Sequence, residues 1–184
     1  MVDLLNVTEI DPFVIRILRK HGWYEKRNYD ISSWLKSLSR DGYESFDYAE
    51  QILKSLGDID INAGGNKNHK SAQFDFNPMC AIGRLEMQKK LETIVKEPLF
   101  PLGEMVQATA YVGRSKNIYF GDGFDFYWIG SSIEDYLNNL FDRNAKSKLL
   151  YSNPRSEESK KELDELFEKA KEQVRLQYPH LKFK

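Results

Sequence analysis

The chain has 184 residues, of which 41% are hydrophobic and 30% charged, and its net charge is −1. This is ordinary globular usage, enough for one domain with its own core and a possible terminal appendage, and it excludes an intrinsically disordered chain. Cys80 is the single cysteine, which excludes an intramolecular disulfide and a cysteine-based metal site and points to the cytosol. Residues 1–10 lack the basic start and apolar run of an export signal, and no later stretch approaches the length of a membrane span, so a cytoplasmic protein without membrane contact is expected.

Asp11-Pro12 reads as an N-cap followed by proline at the first helical position, and Phe13, Val14, Ile17 and Leu18 form one apolar stripe before His21-Gly22. Asp30 is placed to cap a second helix through Ile31, Trp34, Leu35 and Leu38, and Ser45 a third through Phe46, Ala49, Ile52, Leu53 and Leu56, which stops at Gly57. Ile59 and Ile61 then alternate with polar residues, and after a Gly/Asn-rich loop the run Gln73-Phe74-Asp75-Phe76 does the same, predicting two strands. Asn77-Pro78 breaks the second strand, and Ile82, Leu85, Met87, Leu91, Ile94 and Val95 recur at helical spacing up to Pro98.

Three more strands are predicted over 106–112, 117–120 and 124–129, joined by Gly113-Arg114-Ser115 and Gly121-Asp122-Gly123, short enough to demand antiparallel pairing. Ser131 with Glu134 three residues on reads as a capping box for a helix carrying Ile133, Tyr136, Leu137, Leu140 and Phe141. A basic connector with Arg143, Lys146 and Lys148 leads to a charged helix bearing Leu163, Leu166, Phe167, Ala170 and Val174. The expected fold class is therefore α+β, an antiparallel sheet of about five strands flanked by helices. The expected domains are 1–146, and an appended charged C-terminal helix within 147–184.

Chemistry is harder to find. His21, His69 and His180 show no metal-ligand spacing, the Ala63-Gly64-Gly65-Asn66 loop lacks the Gly-Lys-Ser/Thr ending of a phosphate loop, and Asp122-Gly123-Phe124-Asp125 lacks the ligand ladder of a calcium loop. Cys80 lies between Pro78 and an apolar helix start with no local cation to activate it. No catalytic, cofactor-binding or metal-binding residue is assigned. Charge is more informative: over 97–142 there are seven acids against two bases, a local net of −5. Such a surface repels nucleic acid and attracts a basic partner, although the same acids can equally serve only to solvate a face.

Several segments together resemble the third subfamily of the SUKH immunity proteins. Gly22-Trp23 with Arg27 is similar to its N-terminal Gly-Trp and nearby Arg, Leu99-Phe100-Pro101-Leu102-Gly103-Glu104 to its apolar pair leading into Pro-Leu-Gly-Glu, and Trp128-Ile129-Gly130-Ser131-Ser132 to its Ile-Gly-Ser-like turn before a Leu-rich helix. The similarity spans roughly residues 10 to 142. The 59–74 stretch is longer and richer in Asn and Lys than the family pattern, and the tail lies outside it.

The resemblance implies a SUKH-like fold, no catalysis, and a cytoplasmic immunity protein that binds and inhibits a cognate bacterial toxin encoded beside it, with nuclease as a candidate activity of that toxin. Gly22, Trp23, Arg27, Pro101, Gly103, Glu104 and Gly130 are the motif positions. Trp23 is expected to pack at the end of the first helix, Pro101 and Gly103 to form a rigid turn into the sheet, and Arg27 and Glu104 to pair. For the toxin contact the expected residues are Asp122, Asp125, Glu134 and Asp135, with Tyr127 or Trp128 as an aromatic anchor, since neighbours on a strand face opposite sides. The expected state is a monomer or weak dimer without cofactor. Two other readings stand beside this one: a regulatory protein-binding scaffold of the same fold, and a small hydrolase using Asp122, Asp125 and His21.

Overall fold

A computed structural model describes residues 5–105, 108–145 and 147–152. Three helices open the chain: α1 (Pro12–Lys20), α2 (Ser32–Arg40) and α3 (Asp47–Leu56). Asp11 caps α1 by accepting the Phe13 N–H at 2.6 Å, with Pro12 at the first helical position, where its missing N–H costs nothing. After α1 the chain reverses at Gly22, whose φ of +97° suits a residue without a β-carbon. Asp30 accepts the Ser32 N–H at 3.0 Å. Ser45 does not cap α3; its hydroxyl donates to Glu50, and Phe46 occupies the cap position without a side-chain bond.

The sheet follows: β1 (Asp60–Ala63), β2 (Ala72–Asp75), β3 (Leu99–Met105), β4 (Ala108–Gly113), β5 (Ile118–Gly121), β6 (Asp125–Gly130) and β7 (Lys148–Ser152), with α4 (Leu85–Val95) between β2 and β3 and α5 (Ile133–Phe141) between β6 and β7. The strands lie in chain order and every pairing is antiparallel, an uninterrupted seven-strand meander. The class is α+β as expected, but with seven strands rather than about five.

The two additional strands have different causes. β3 carries Pro101 and Gly103 and so reads as a turn, yet both residues lie within the strand, flanking a bulge at which the register with β4 shifts. β2 and β3 share only the Asp75↔Glu104 pair. Pro101 therefore sits where β3 is paired on one side alone, and a missing donor is tolerated there. Gly103 lies against β2: a β-carbon at this position would collide with the Asp75 carbonyl oxygen and reach 3.0 Å from the Phe74 ring. β7 is short and its residues are exposed or half-buried. It takes in the start of the segment expected to be an appended helix, and the helix expected from Leu163 onward lies outside the described residues.

Alternation along the strands sorts side chains to two cores. On one face Ile61, Phe74, Phe100, Leu102, Val112 and Phe120 pack with Val14 and Leu18 of α1, Leu38 of α2, Ile52 and Leu53 of α3, and Tyr136 and Leu137 of α5. On the other, Leu99, Tyr111, Tyr119 and Phe126 pack against Leu91 of α4. β4 is buried along its whole length because both of its faces are covered.

The motif residues lock these layers. Trp23 is buried and its indole N–H donates to the Ser55 hydroxyl at 3.3 Å, tying the end of α1 to α3. Arg27 donates to the Ser55 carbonyl in the last turn of α3 at 3.2 Å and lies 5.1 Å over the Tyr29 ring. The expected Arg27–Glu104 pair does not form; Glu104 instead faces Arg84 at 3.8 Å. At Gly130 a β-carbon would lie 2.9 Å from the Tyr136 backbone nitrogen, so glycine lets α5 press onto β6. Replacing Gly103 by Ala forces β2 and β3 apart and should lower stability by about 3 kcal/mol, measured as a shift in the urea midpoint. An unchanged midpoint would contradict the close approach.

Candidate partner-binding surface

The nucleophile and metal positions come first. Cys80 lies within a single helical turn between β2 and α4, and burial, with Glu104 nearby, pushes its thiol up to about 12, so it stays protonated and unreactive. Among the described residues no group of three His, Cys, Asp or Glu side chains is arranged to hold a metal ion. His21 Nδ1 lies 2.8 Å from the Ile17 carbonyl at the end of α1, whereas Asp122 and Asp125 sit in the β5–β6 turn. No hydrogen bond or ion pair joins His21 to either acid.

The acids of 97–142 have separate local duties. Glu97 accepts from the Ser115 amide and hydroxyl and from Tyr119. Asp122 accepts the Phe124 and Asp125 amides at 2.9 Å each and so shapes the hairpin turn. Glu134 is buried, with its carboxylate accepting the Asn6 amide at 3.0 Å, and it plays no part in capping. The cap of α5 is shifted by one residue from the sequence expectation: Ser132 accepts the Asp135 amide at 3.2 Å, and Asp135 reaches back to the Ser131 amide at 2.9 Å. Asp142 closes the far end of α5.

Tyr127 and Trp128 face opposite sides, as strand geometry requires. Tyr127 packs on the helix-rich core, while Trp128 packs on the α4 side and donates to Asn117 at 3.0 Å. Both are half-buried. At the tip of their hairpin Phe124 is 47% exposed.

A different acidic surface emerges from register. Asp60 of β1 pairs with Asp75 of β2, and Asp75 with Glu104 of β3, so three carboxylates stand in one row across three strands. The core under α4 reaches only as far as Leu99 of β3 and includes no residue of β1 or β2. The same face of β1 and β2 accordingly presents Asp60, Asn62 and Gln73 to solvent, with Asp75 half-buried. Asp58, just before β1, adds a fourth charge. It raises the Tyr29 hydroxyl above its ordinary value, second to burial, and Tyr29 and the neighbouring Trp34, ring centres 5.0 Å apart, rim this end of the sheet.

Like charges directly opposite across strands are destabilising by about 0.2–1 kcal/mol per pair. The strain registers on Asp75, whose carboxyl is raised above the usual range first by burial and then by Asp60, Asp58 and Glu104. Among the described residues, Arg84 lies within ion-pair reach of the row: it faces Glu104 at 3.8 Å and also donates to Thr109 at 3.2 Å. No sequence pattern announces this row, because its members lie far apart along the chain and meet only through strand pairing.

Asp75 holds its proton more tightly in the folded than in the unfolded state, so its destabilising effect is present at neutral pH and is relieved as pH falls through its raised folded value. Asp75→Asn should raise the Tm at pH 7 by about 2–4 °C, and the gain should vanish as the pH approaches the ordinary value of 3.8. A pH-independent gain in differential scanning calorimetry would mean that the row carries no repulsion.

Comparison with curated proteins and with solved structures gave no significant match. The family model described as SUKH-3 immunity protein matches residues 10–143. That span holds Gly22-Trp23, the β3 segment with Pro101 and Gly103, and Gly130 before α5, the positions at which the close packing of the layers was found. With most of its length matched, the chain belongs to the SUKH-3 immunity protein family.

Proposed function

We propose that this protein binds a cognate bacterial toxin domain directly and inhibits it, in the cytoplasm and without catalysis of its own, as a monomer or weak dimer. The observation that carries this reading beyond the family assignment is the acidic row Asp60–Asp75–Glu104, which lies outside the core under α4. Adjacent like charges repel one another, and a basic partner surface offsets that repulsion by complementarity and steers the encounter. A toxin that attacks nucleic acid must itself present a basic cleft to bind phosphate, which makes a nuclease domain the fitting partner.

The β5–β6 hairpin, with Asp122, Phe124 and Asp125 at its tip, is proposed as a second contact, with Tyr127 and Trp128 stiffening it from either face. Asp135, bonded at the α5 cap, and Glu134, buried, support the scaffold in this reading.

Co-expression with the toxin domain encoded beside this protein, followed by purification of the complex, tests the proposal. The complex should form, protect the host, and weaken as salt rises. Asp60→Lys should cost about tenfold in affinity, the loss of one close charge pair. If no complex forms and the host dies, the immunity reading fails. If the complex forms but ignores both salt and Asp60→Lys, the toxin binds elsewhere.

A further inference from the structure

A second recess lies on the opposite, helix-bearing face of the sheet. Between β1–β2, β5–β6 and α5 is a cavity of about 590 Å³, within the range of small-molecule sites. It exists because Ala63 and Ala72, a cross-strand pair, point methyl groups where larger residues elsewhere on this face fill the space. Phe120 and Ile129 supply further apolar wall, and Lys70 stands among the lining residues.

The wall also contains Tyr136, whose hydroxyl is buried and has no hydrogen-bond partner among the described residues. Buried polar groups in native folds are nearly always satisfied. Burial holds this phenol far above its ordinary range, so it keeps its proton and remains a donor. The ring packs edge-on against Phe74, with ring centres 5.5 Å apart, so Tyr136 closes the back of the recess as part of its wall.

Lys70 adds a charge. Its ammonium pairs with no carboxylate among the described residues, while its backbone amide is anchored to the Phe141 carbonyl at 2.8 Å. The loop before it is held by Arg143 on the Asn66 carbonyl at 2.7 Å and by His69 against Asp11 at 3.3 Å. An apolar recess and one uncompensated cation at its wall define a ligand with a hydrocarbon body and an anionic head.

We propose that this cavity binds a small apolar carboxylic acid, its body against Ala63, Ala72, Phe120 and Ile129 and its carboxylate met by Lys70. The site is independent of the acidic row and of toxin binding.

Calorimetric titration of the full chain with decanoate, with decanol in parallel, tests it. Decanoate should saturate at one per chain, and decanol should bind about tenfold more weakly, the loss of a charge-assisted contact. Lys70→Gln should weaken decanoate by a similar factor and leave decanol unchanged. Ala72→Leu, with its fold checked by circular dichroism, should abolish binding by filling the recess. Lys70→Gln decides the matter if Ala72→Leu misfolds, since it alters no packing in the recess. Absence of saturable decanoate binding, equal affinity for decanol, or indifference to Lys70→Gln overturns the proposal.

Discussion

The β1–β2 hairpin joins the other five strands through one registered pair, Asp75↔Glu104, and the chain makes that junction by omitting a side chain at Gly103, where β3 passes against the Asp75 carbonyl. Much of what the molecule offers to a partner depends on this approach. It sets Asp60, Asp75 and Glu104 in line, and it carries the hairpin beyond the core under α4. Pro101 belongs to the same arrangement: it lies on the part of β3 paired on one side only, and the bulge beside it realigns the strand so that Leu102 still enters the helix-rich core.

Around that junction the two cores divide the work. The larger one, under α1, α2, α3 and α5, fastens the N-terminal helices to the sheet with aromatic and aliphatic bulk, and Trp23 and Arg27 converge on Ser55 to close it. The smaller one, under α4, covers β3 to β7 and stops there. The sheet thus has one face buried along most of its width and one face only partly covered. The exposed remainder of the second face is polar and negative, the composition expected of a docking surface for a basic protein and the opposite of one for nucleic acid.

Polar side chains that look like surface charges serve in several places as internal fasteners. Glu134 holds the Asn6 amide, Asp135 holds the start of α5, and Glu97 gathers Ser115 and Tyr119. A count of acids along the chain therefore overstates the charge available to a partner in 97–142 and overlooks the charge assembled by β1, β2 and β3. The acidic row proposed as a docking surface stands out only once those fasteners are set aside.

Local chemistry was enough to determine α1 from Asp11-Pro12 and its apolar stripe, the β5–β6 hairpin from Asp122-Gly123, the α5 stripe from Ile133 to Phe141, and the family from Gly22-Trp23 and the segment around Pro101 and Gly103. Each of these depends on residues close together in the chain, whose propensities act before any long-range contact forms. The tertiary structure alone decided that Pro101 and Gly103 lie inside a strand, that Glu104 faces Arg84 and not Arg27, that Glu134 is buried, that Lys148–Ser152 closes the sheet, and that three distant carboxylates share a row. Those outcomes turn on strand register and on which face a helix covers, both set by pairing between residues remote in sequence, and local propensity carries no record of either.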